Sequence, residues 1–318
     1  MNSFPEREMV NRAIEDKISE FVKFLELIEA LPIDQFYEEF QAKLAYINEL
    51  SIQTAGSRSS LMTDFFAMTA PFFDLSEVVS RGRNKPLGYA GDYMTIDQIY
   101  EQKCNSPGLG ARWDELFHSF DAPKAVRNRK TYFIETIHGL VADGQRNISI
   151  LDLASGPCRD IAECLEQLNG NAERLDFHCV DIDREAIKYA EKMVEPYAGN
   201  TRILFERQNI FRFKSSCKYD LVWSGGLFDY LEDATAVDVI KRMWDCTNDN
   251  GKVIVGNFHP SNTSRNYMEW CGQWFLIHRS DEELKNLFIK AGIPSSSVSI
   301  EREPIGACIF GIATRHQK

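Results

Sequence analysis

The chain has 318 residues, of which 44% are hydrophobic and 26% are charged, a mix typical of a folded globular protein. Its 47 acidic and 36 basic side chains give a formal net charge of −11, which argues against DNA or RNA as the main partner because such binding depends on neutralising phosphates. No apolar run approaches the roughly 18–20 residues that span a bilayer, and residues 1–10 do not form a basic leader. These features predict a cytoplasmic protein that is not inserted in a membrane.

The spacing of cysteine and histidine gives no sign of a metal site. The eight cysteines include no C-x-x-C pair, and no two of the six histidines are spaced as a helical metal pair. We therefore expect reduced thiols and no bound metal.

Helical patterns dominate the first 120 residues. Apolar side chains recur three or four positions apart in two runs, Ile14–Ile28 and Tyr37–Ile47, which are separated by Pro32 and by Asp34, a plausible helix N-cap. The favoured interpretation is a pair of antiparallel helices with one buried stripe each, and the alternative is a coiled-coil-like pair that forms a homodimer. Further helices are predicted over Ile96–Tyr100, Trp113–Phe120 and Pro123–Val141.

A loop rich in glycine is predicted over Ser80–Tyr93. Lys85 and Tyr89 lie there among glycines, which allow a loop to approach a ligand closely, although a structural turn between helices is the alternative. Downstream, Arg127 and Arg129 lie on opposite sides of a predicted helix, so only one of them can point inward. That arginine could hold a carboxylate through two hydrogen bonds, or form an ordinary salt bridge.

Strands and helices alternate after residue 145, which indicates a doubly wound sheet of parallel strands. The predicted strands are Ile148–Leu153, Leu175–Asp181, Ile203–Glu206, Tyr219–Trp223 and Lys252–Gly256, and the predicted helices are Asp160–Leu168, Arg184–Val194 and Ala234–Trp244. The last two strands, Ser297–Arg302 and Ala307–Thr314, are separated by too few residues for a crossover helix, so they should pair antiparallel.

The turn after the first of these strands, Asp152–Cys158, lies where an open α/β sheet binds a nucleotide-like ligand. It has one glycine, Gly156, instead of the three in a G-x-G-x-x-G motif, and Pro157 removes a backbone N–H. The turn is therefore poorly suited to a dinucleotide pyrophosphate, which disfavours an NAD-dependent oxidoreductase. It is still small enough for a ligand without a pyrophosphate to lie against the backbone.

Polar residues follow the next two strands. Asp181 ends the second strand, where a carboxylate can accept hydrogen bonds from both hydroxyls of a ribose; capping a helix is its alternative role. Asn209 follows the third strand and could meet an adenine edge or form a turn. We favour the ligand role for both residues.

On these residues, Ile148–Thr314 resembles a class I S-adenosylmethionine (SAM)-dependent methyltransferase. The matching motifs are LDLASGPCRD, VDID, QNIF and YDLVWSGGLFDYL, although Ala154 and Cys158 stand where the family has glycine. The resemblance implies SAM as cofactor and an α/β, Rossmann-like fold whose last strand inserts antiparallel into the sheet. It implies cofactor-binding roles for Asp152, Ala154, Gly156, Asp181, Ile182, Asn209, Ile210, Ser224 and Gly225.

A narrower resemblance covers KPLGYAGDY (85–93), KAVRNRK (124–130) and NFHPSNTSRNYMEWCGQWFLIHRS (257–280). These segments are similar to those of a bacterial group that synthesises 3-hydroxypalmitic acid methyl ester, which implies O-methylation of a fatty-acid-like carboxylate. On this interpretation the glycine-rich loop closes the SAM pocket, with Tyr89 or Tyr93 facing the transferring methyl group.

The acceptor decides which catalytic groups are needed. A carboxylate is already ionised at pH 7, whereas a hydroxyl or an amine favours a nearby base. His259 follows the fifth strand and is the candidate base or hydrogen-bond donor, with capping of the next helix as the alternative. Trp270 and Trp274 share a predicted helix face and are more typical of a core than of a pocket wall. The candidate substrate-binding residues are Lys85, Arg127, Phe228, Tyr230, Tyr267 and Trp274.

The sequence thus predicts a helical cap or lid over residues 1–120, which could also form a homodimer, and a methyltransferase domain over residues 121–318. The predicted reaction is methylation of a small metabolite, with O-methylation of a fatty-acid-like carboxylate or hydroxylated acid as first choice. The alternatives are N- or C-methylation of a specialised metabolite, and a non-catalytic SAM-binding scaffold protein.

Overall fold

One mixed sheet organises the C-terminal half of the chain. The computed structural model describes residues 4–52, 58–143, 147–168 and 171–317. Seven strands form the sheet in the order β3-β2-β1-β4-β5-β7-β6. Their bounds are β1 (Ile148–Leu153), β2 (Leu175–Asp181), β3 (Arg202–Arg207), β4 (Tyr219–Ser224), β5 (Thr247–Phe258), β6 (Val298–Arg302) and β7 (Cys308–Thr314). The strands β1–β5 pair in parallel, while β7 lies antiparallel between β5 and β6.

Helices cover both faces of this sheet, because neighbouring residues of a strand point to opposite sides. On one face, Val222 belongs to a core cluster that includes Ile240 and Phe288. On the other face, Tyr132 stacks on Phe310 with ring centroids 3.9 Å apart. The helices of this half are α7 (Asp121–Ala142), α8 (Arg159–Leu168), α9 (Arg184–Ala198), α10 (Asp233–Asp245) and α11 (Asp281–Lys290).

The predicted Rossmann-like fold and the antiparallel terminal hairpin are confirmed. The strands β1 and β2 begin and end at the predicted residues, and β5 is longer than predicted at both ends. The insertion of β7 between β5 and β6 distinguishes this sheet from the all-parallel sheet of a dinucleotide-binding Rossmann domain.

Helices make up most of the N-terminal part. They are α1 (Phe4–Leu25), α2 (Ile33–Ile52), α3 (Arg58–Phe73), α4 (Glu77–Asn84), α5 (Tyr93–Glu101) and α6 (Gly110–Ser119). The rings of Phe21 and Phe40 lie 5.0 Å apart, and those of Phe24 and Phe36 lie 4.5 Å apart. In these two pairs, the later residue of α1 contacts the earlier residue of α2. The two helices therefore pack antiparallel, as predicted. No helix among the described residues is both long and apolar enough to cross a membrane.

Two local predictions in this part were wrong, and one helix was not predicted. Helix α2 begins at Ile33, so Asp34 lies in its first turn and is not the N-cap. Helix α4 includes the first five residues of the segment predicted as a loop, and Ser76 caps its start by accepting a hydrogen bond from the backbone N–H of Val79. Helix α3 was not predicted, since its apolar side chains do not form a single stripe.

The chain divides into two compact units. One contains Met1–Lys124 and Thr263–Phe275, and the other contains Ala125–Asn262 and Leu276–Lys318. The predicted division assigned all residues after 120 to one domain, whereas Thr263–Phe275 lies with the helices. The reason is aromatic packing within the helical unit, where Tyr267 stacks on Phe120 with ring centroids 4.1 Å apart.

Candidate cofactor site

The turn between β1 and α8 has an unusual backbone. Ala154, Gly156 and Cys158 all have left-handed conformations, with φ of 59°, 57° and 52°. These are the three positions of the small-residue motif, and two of them carry side chains that normally avoid this region. The loop therefore adopts the conformation expected of glycines although only one glycine is present. The thiol of Cys158 is buried below it.

Asp181 holds this turn in place from the end of β2. One of its carboxylate oxygens accepts the backbone N–H of Gly156 at 3.0 Å, and the other accepts the backbone N–H of Asp183 at 2.9 Å. The backbone N–H of Ala154 also donates to the carbonyl of Val180 at 2.8 Å. A Cβ atom built on Gly156 would meet nothing within 4 Å, so the space beside the turn is open.

Three carboxyl groups surround the turn. Burial raises the pKa of Asp181, and burial together with the charges of Asp160 and Asp181 raises the pKa of Asp152 well above its usual value. Burial also raises the pKa of Asp160, in the first turn of α8, to about 6. The negative charges of Asp160 and Asp181 thus disfavour the ionisation of Asp152. A positively charged ligand beside the turn would relieve that repulsion.

The remaining predicted cofactor residues differ in their surroundings. Ile182 is 59% exposed next to Asp181, which is unusual for a large apolar side chain, whereas Ile210 is buried. The side-chain oxygen of Asn209 accepts the backbone N–H of Phe211 at 2.9 Å, so the turn-forming role is present. The hydroxyl of Ser224 is buried and donates to the carbonyl of Leu153 at 2.9 Å, which ties β4 to β1.

Beyond β4, two adjacent glycines lie against an arginine of α7. A Cβ atom on Gly226 would come within 3.0 Å of the guanidinium of Arg129. Arg129 is buried, whereas Arg127 is only half-buried. The inward arginine of this helix is therefore Arg129, and the selection of Arg127 as the substrate-binding residue is corrected, since about 200° of helical rotation separates the two.

Buried hydrogen bonds link the segments at the ends of β4 and β5. The carboxylate of Asp229 accepts the backbone N–H of Phe258 at 2.7 Å, and burial raises its pKa to about 7. Arg279 donates to the carbonyl of Phe228 and to the side-chain oxygen of Asn257, both at 2.8 Å. These bonds fix the position of the segment after β4.

Two aromatic residues in this segment were predicted to bind substrate. Phe228 is fully buried within the core cluster of the sheet, so its side chain supports the fold instead. Tyr230 is 44% exposed, and its substrate role stays a prediction.

His259 faces the terminal hairpin. Its Nδ1 lies 2.7 Å from the hydroxyl of Ser261, and its Nε2 lies 3.8 Å from a carboxylate oxygen of Asp281. Burial, followed by the charge of Arg302, lowers the pKa of His259. In the sheet order, β5 is separated from β2 by β4 and β1, so this imidazole is remote from the strand that carries Asp181.

The other predicted site residues belong to the helical unit. Tyr89 is exposed in the loop after α4, and Tyr93 is the first residue of α5, where Asp92 is the N-cap. The ammonium group of Lys85 donates to the carbonyl of Gln273 at 2.7 Å, and burial lowers its pKa. The roles of Tyr89, Tyr93 and Lys85 stay predictions from the sequence.

Tyr267 does not line the predicted pocket, whereas the substrate role of the half-buried Trp274 stays a prediction. Tyr267 is buried in the aromatic core, and burial raises its pKa well above the usual value. A π-helix at Tyr267–Cys271 carries the fully buried Trp270 and ends before Trp274, so the two tryptophans do not share one helix face.

The sequence analysis assigned no site role to Asp160. It also did not decide whether Arg127 or Arg129 points inward from its helix. Asp160 resembled an ordinary acid in the first turn of a helix, and its burial could not be read from one sequence. The pair Gly225–Gly226 was the available signal for Arg129, because adjacent glycines after a strand indicate that another group approaches the backbone. Among the described residues, no group of three or more His, Cys, Asp or Glu side chains could hold a metal ion.

Comparison with known proteins agrees with this geometry. Residues 151–253 match a family model described as a methyltransferase domain, Methyltransf_12. No protein of curated function matches the sequence. A possible exported protein from Bordetella parapertussis is similar in structure, with a TM-score of 0.60 and 16% identity over 77% of this chain and 96% of that chain.

The apo form of the S-adenosylmethionine-dependent methyltransferase SibL matches almost the whole chain. Its TM-score is 0.53 at 11% identity, over 97% of this chain and 98% of that chain. At such identities the similarity establishes the fold. The fold is thus Rossmann-like, and the matched family model covers the segment that runs from within β1 to within β5.

Proposed function

We propose that this chain, a SAM-dependent methyltransferase by its domain and its fold, methylates the carboxylate of a small and partly apolar acid. The observation that carries the proposal is the left-handed turn at 154–158, which Asp181 braces from the end of β2. A turn of this kind brings backbone amides to the carboxyl edge of a parallel sheet, where such folds bind their ligands.

The residues of the turn fit SAM. Both oxygens of Asp181 keep lone pairs beyond the amides that they accept, so the carboxylate can also accept two ribose hydroxyls. The exposed side chain of Ile182 offers an apolar surface to an adenine ring. The open space beside Gly156 leaves room for a ligand, and the acids 152, 160 and 181 favour a cationic one. When bound, SAM supplies a methyl group on a positively charged sulfur.

The position of His259 favours an acceptor that is already ionised. This histidine was the candidate base, and its ring is held by Ser261 beside the terminal hairpin. A carboxylate needs no base at pH 7, whereas an alcohol or amine does. The motif similarity to the methyl ester group supports a fatty-acid-like carboxylate as the first acceptor to assay.

Cofactor and acceptor are tested separately. Isothermal titration with S-adenosylhomocysteine (SAH) and with NAD should give binding of SAH alone. Product mass analysis with a panel of fatty acids, phenols and amines should then give a gain of one methyl group on an acid. Methylation confined to amines would reject the carboxylate assignment, and failure to bind SAH would reject the methyltransferase assignment.

His259→Ala provides an independent test of the acceptor class. With a carboxylate acceptor, we expect the variant to keep kcat within about threefold of the wild type, because no proton is removed in the transfer. Loss of a general base would instead lower kcat by roughly 10²–10⁴-fold. A loss of that size, with SAH affinity unchanged, would indicate a hydroxyl or amine acceptor.

A further inference from the structure

Arg129 reaches the carboxyl edge of the sheet through a channel made by glycines. Ideal Cβ atoms on Gly225 and Gly226 would lie 3.4 Å and 3.0 Å from its side chain, and one on Gly256 of β5 would lie 3.4 Å from its Cδ. The Gly256 Cβ would also lie 2.4 Å from the carbonyl oxygen of Gly225. Larger residues at these positions would displace the arginine, so the backbone of two strand ends is shaped around it.

The positive charge of Arg129 acts on two buried acids near this edge. Burial raises the pKa of Asp160 and of Asp229, and the positive charge of Arg129 acts in the opposite direction on both. Asp160 belongs to the turn after β1, and Asp229 follows β4. Arg129 therefore lies against the ends of β4 and β5, and its charge reaches the turn after β1, the strand next to β4 in the sheet.

An arginine is suited to this position for a specific reason. Its planar guanidinium presents parallel N–H groups that match the two oxygens of a carboxylate, and it stays charged when it is buried. If the ribose lies on Asp181 at β2, the remainder of a donor that crosses β1 extends toward β4. The amino-acid end of that donor carries a carboxylate.

We infer that Arg129 is a carboxylate-binding residue of this site, with the amino-acid end of the methyl donor as its first ligand. The inference rests on the proposed function. The acceptor acid carries the same chemical group, so two sources of a carboxylate must be distinguished by experiment.

The first arm of the test uses two ligands that differ by one group. SAH and its decarboxylated analogue share the adenosine, the thioether and the amine, and only SAH has the carboxylate. Isothermal titration of the wild type should show that SAH binds roughly 10–100-fold more tightly, the range for a charge-assisted pair. In Arg129→Gln this preference should fall to less than about threefold.

Two further variants control for folding and for charge. Arg202→Gln makes the same chemical change at the start of β3, where the side chain is 77% exposed, and it should keep the full preference. Arg129→Lys keeps the charge but loses the planar fork, and it should show an intermediate preference. If Arg129→Gln does not fold, as judged by circular dichroism, the lysine variant carries the test.

The second arm uses an acceptor pair. With SAH bound, 3-hydroxypalmitic acid and its methyl ester are titrated into the wild type and Arg129→Gln. Loss of a preference for the acid, with the SAH preference intact, would assign the carboxylate to the acceptor. If Arg129→Gln changes neither preference, or weakens both members of each pair equally, the inference is wrong. A wild type that binds neither SAH nor its analogue would instead refute the proposed function.

Discussion

Asp181 shapes the turn after β1, and we propose that it also holds the ribose of the cofactor. Its oxygens accept the backbone N–H groups of Gly156 and Asp183, and each oxygen keeps a lone pair that a ribose hydroxyl could use. A helix-capping role belongs instead to Asp183, which accepts the backbone N–H groups at the start of α9. The alternative role of Asp181, capping the helix, is therefore filled by its neighbour.

Asp181→Asn should weaken SAH binding by at least about tenfold, because an amide offers one acceptor oxygen where the carboxylate offers two. Isothermal titration measures the change. Asp176→Asn, at the other end of β2, is the matched control and should leave the affinity unchanged, since its side chain is 43% exposed. Equal affinity in Asp181→Asn and the wild type would remove this carboxylate from the site.

Asp160 makes the stability of the protein depend on pH. Burial raises the pKa of this carboxyl from 3.8 to about 6. The folded state therefore binds the proton more tightly than the unfolded state, and the ionised group destabilises the fold as the pH rises from about 4 to about 6.

Asp160→Asn should remove this pH-dependent cost. The gain in the free energy of unfolding should be about 2 kcal/mol larger at pH 7.5 than at pH 4.5. The asparagine keeps the side-chain oxygen that accepts the backbone N–H of Ile161. Urea titrations of the variant and the wild type at both pH values measure the difference. An equal gain at both would show that the carboxyl is not perturbed.

At the scale of elements, the turn between β1 and α8 has a backbone conformation that is unfavourable for residues with a Cβ atom. Ala154 has a φ of 59°, where a residue with a Cβ pays about 1–2 kcal/mol relative to the right-handed region. Glycine adopts this region freely but loses more entropy on folding. The two effects oppose each other at a left-handed position such as 154, whereas in a right-handed helix only the entropy cost of glycine remains.

Ala154→Gly should therefore leave the free energy of unfolding within about 0.5 kcal/mol of the wild type or raise it. The same change at the exposed Ala42, within α2, should lower it by about 1 kcal/mol. Chemical denaturation followed by circular dichroism provides the comparison. A loss at 154 as large as the loss at 42 would mean that the turn is not left-handed in solution.

The scale of the whole molecule shows what a single sequence can predict. Strands β1, β2 and β4 were found because each is a short run rich in apolar and aromatic side chains, and the hairpin followed from the short connection before β7. Helix α4 was not found, because its cations suggested an exposed loop. Its Arg83 is buried and lies 3.8 Å from the ring of Phe66, a contact that no local pattern reveals.

The site was predictable where it follows strand ends and unpredictable where it depends on packing. Asp181 and Gly156 were placed correctly next to each other because parallel strands end at one edge of the sheet. Phe228 and Tyr267 were predicted to line a substrate pocket. An aromatic side chain after a strand has the same sequence pattern whether it packs in the core or lines a pocket. Only tertiary packing shows that both are buried.

A crystal structure of the protein with SAH tests the central claim most directly. The account predicts both ribose hydroxyls within about 2.5–3.2 Å of the Asp181 carboxylate, above the turn at 154–158. The adenine ring should lie against Ile182. SAH bound at another edge of the sheet, or a ribose held without Asp181, would contradict the account.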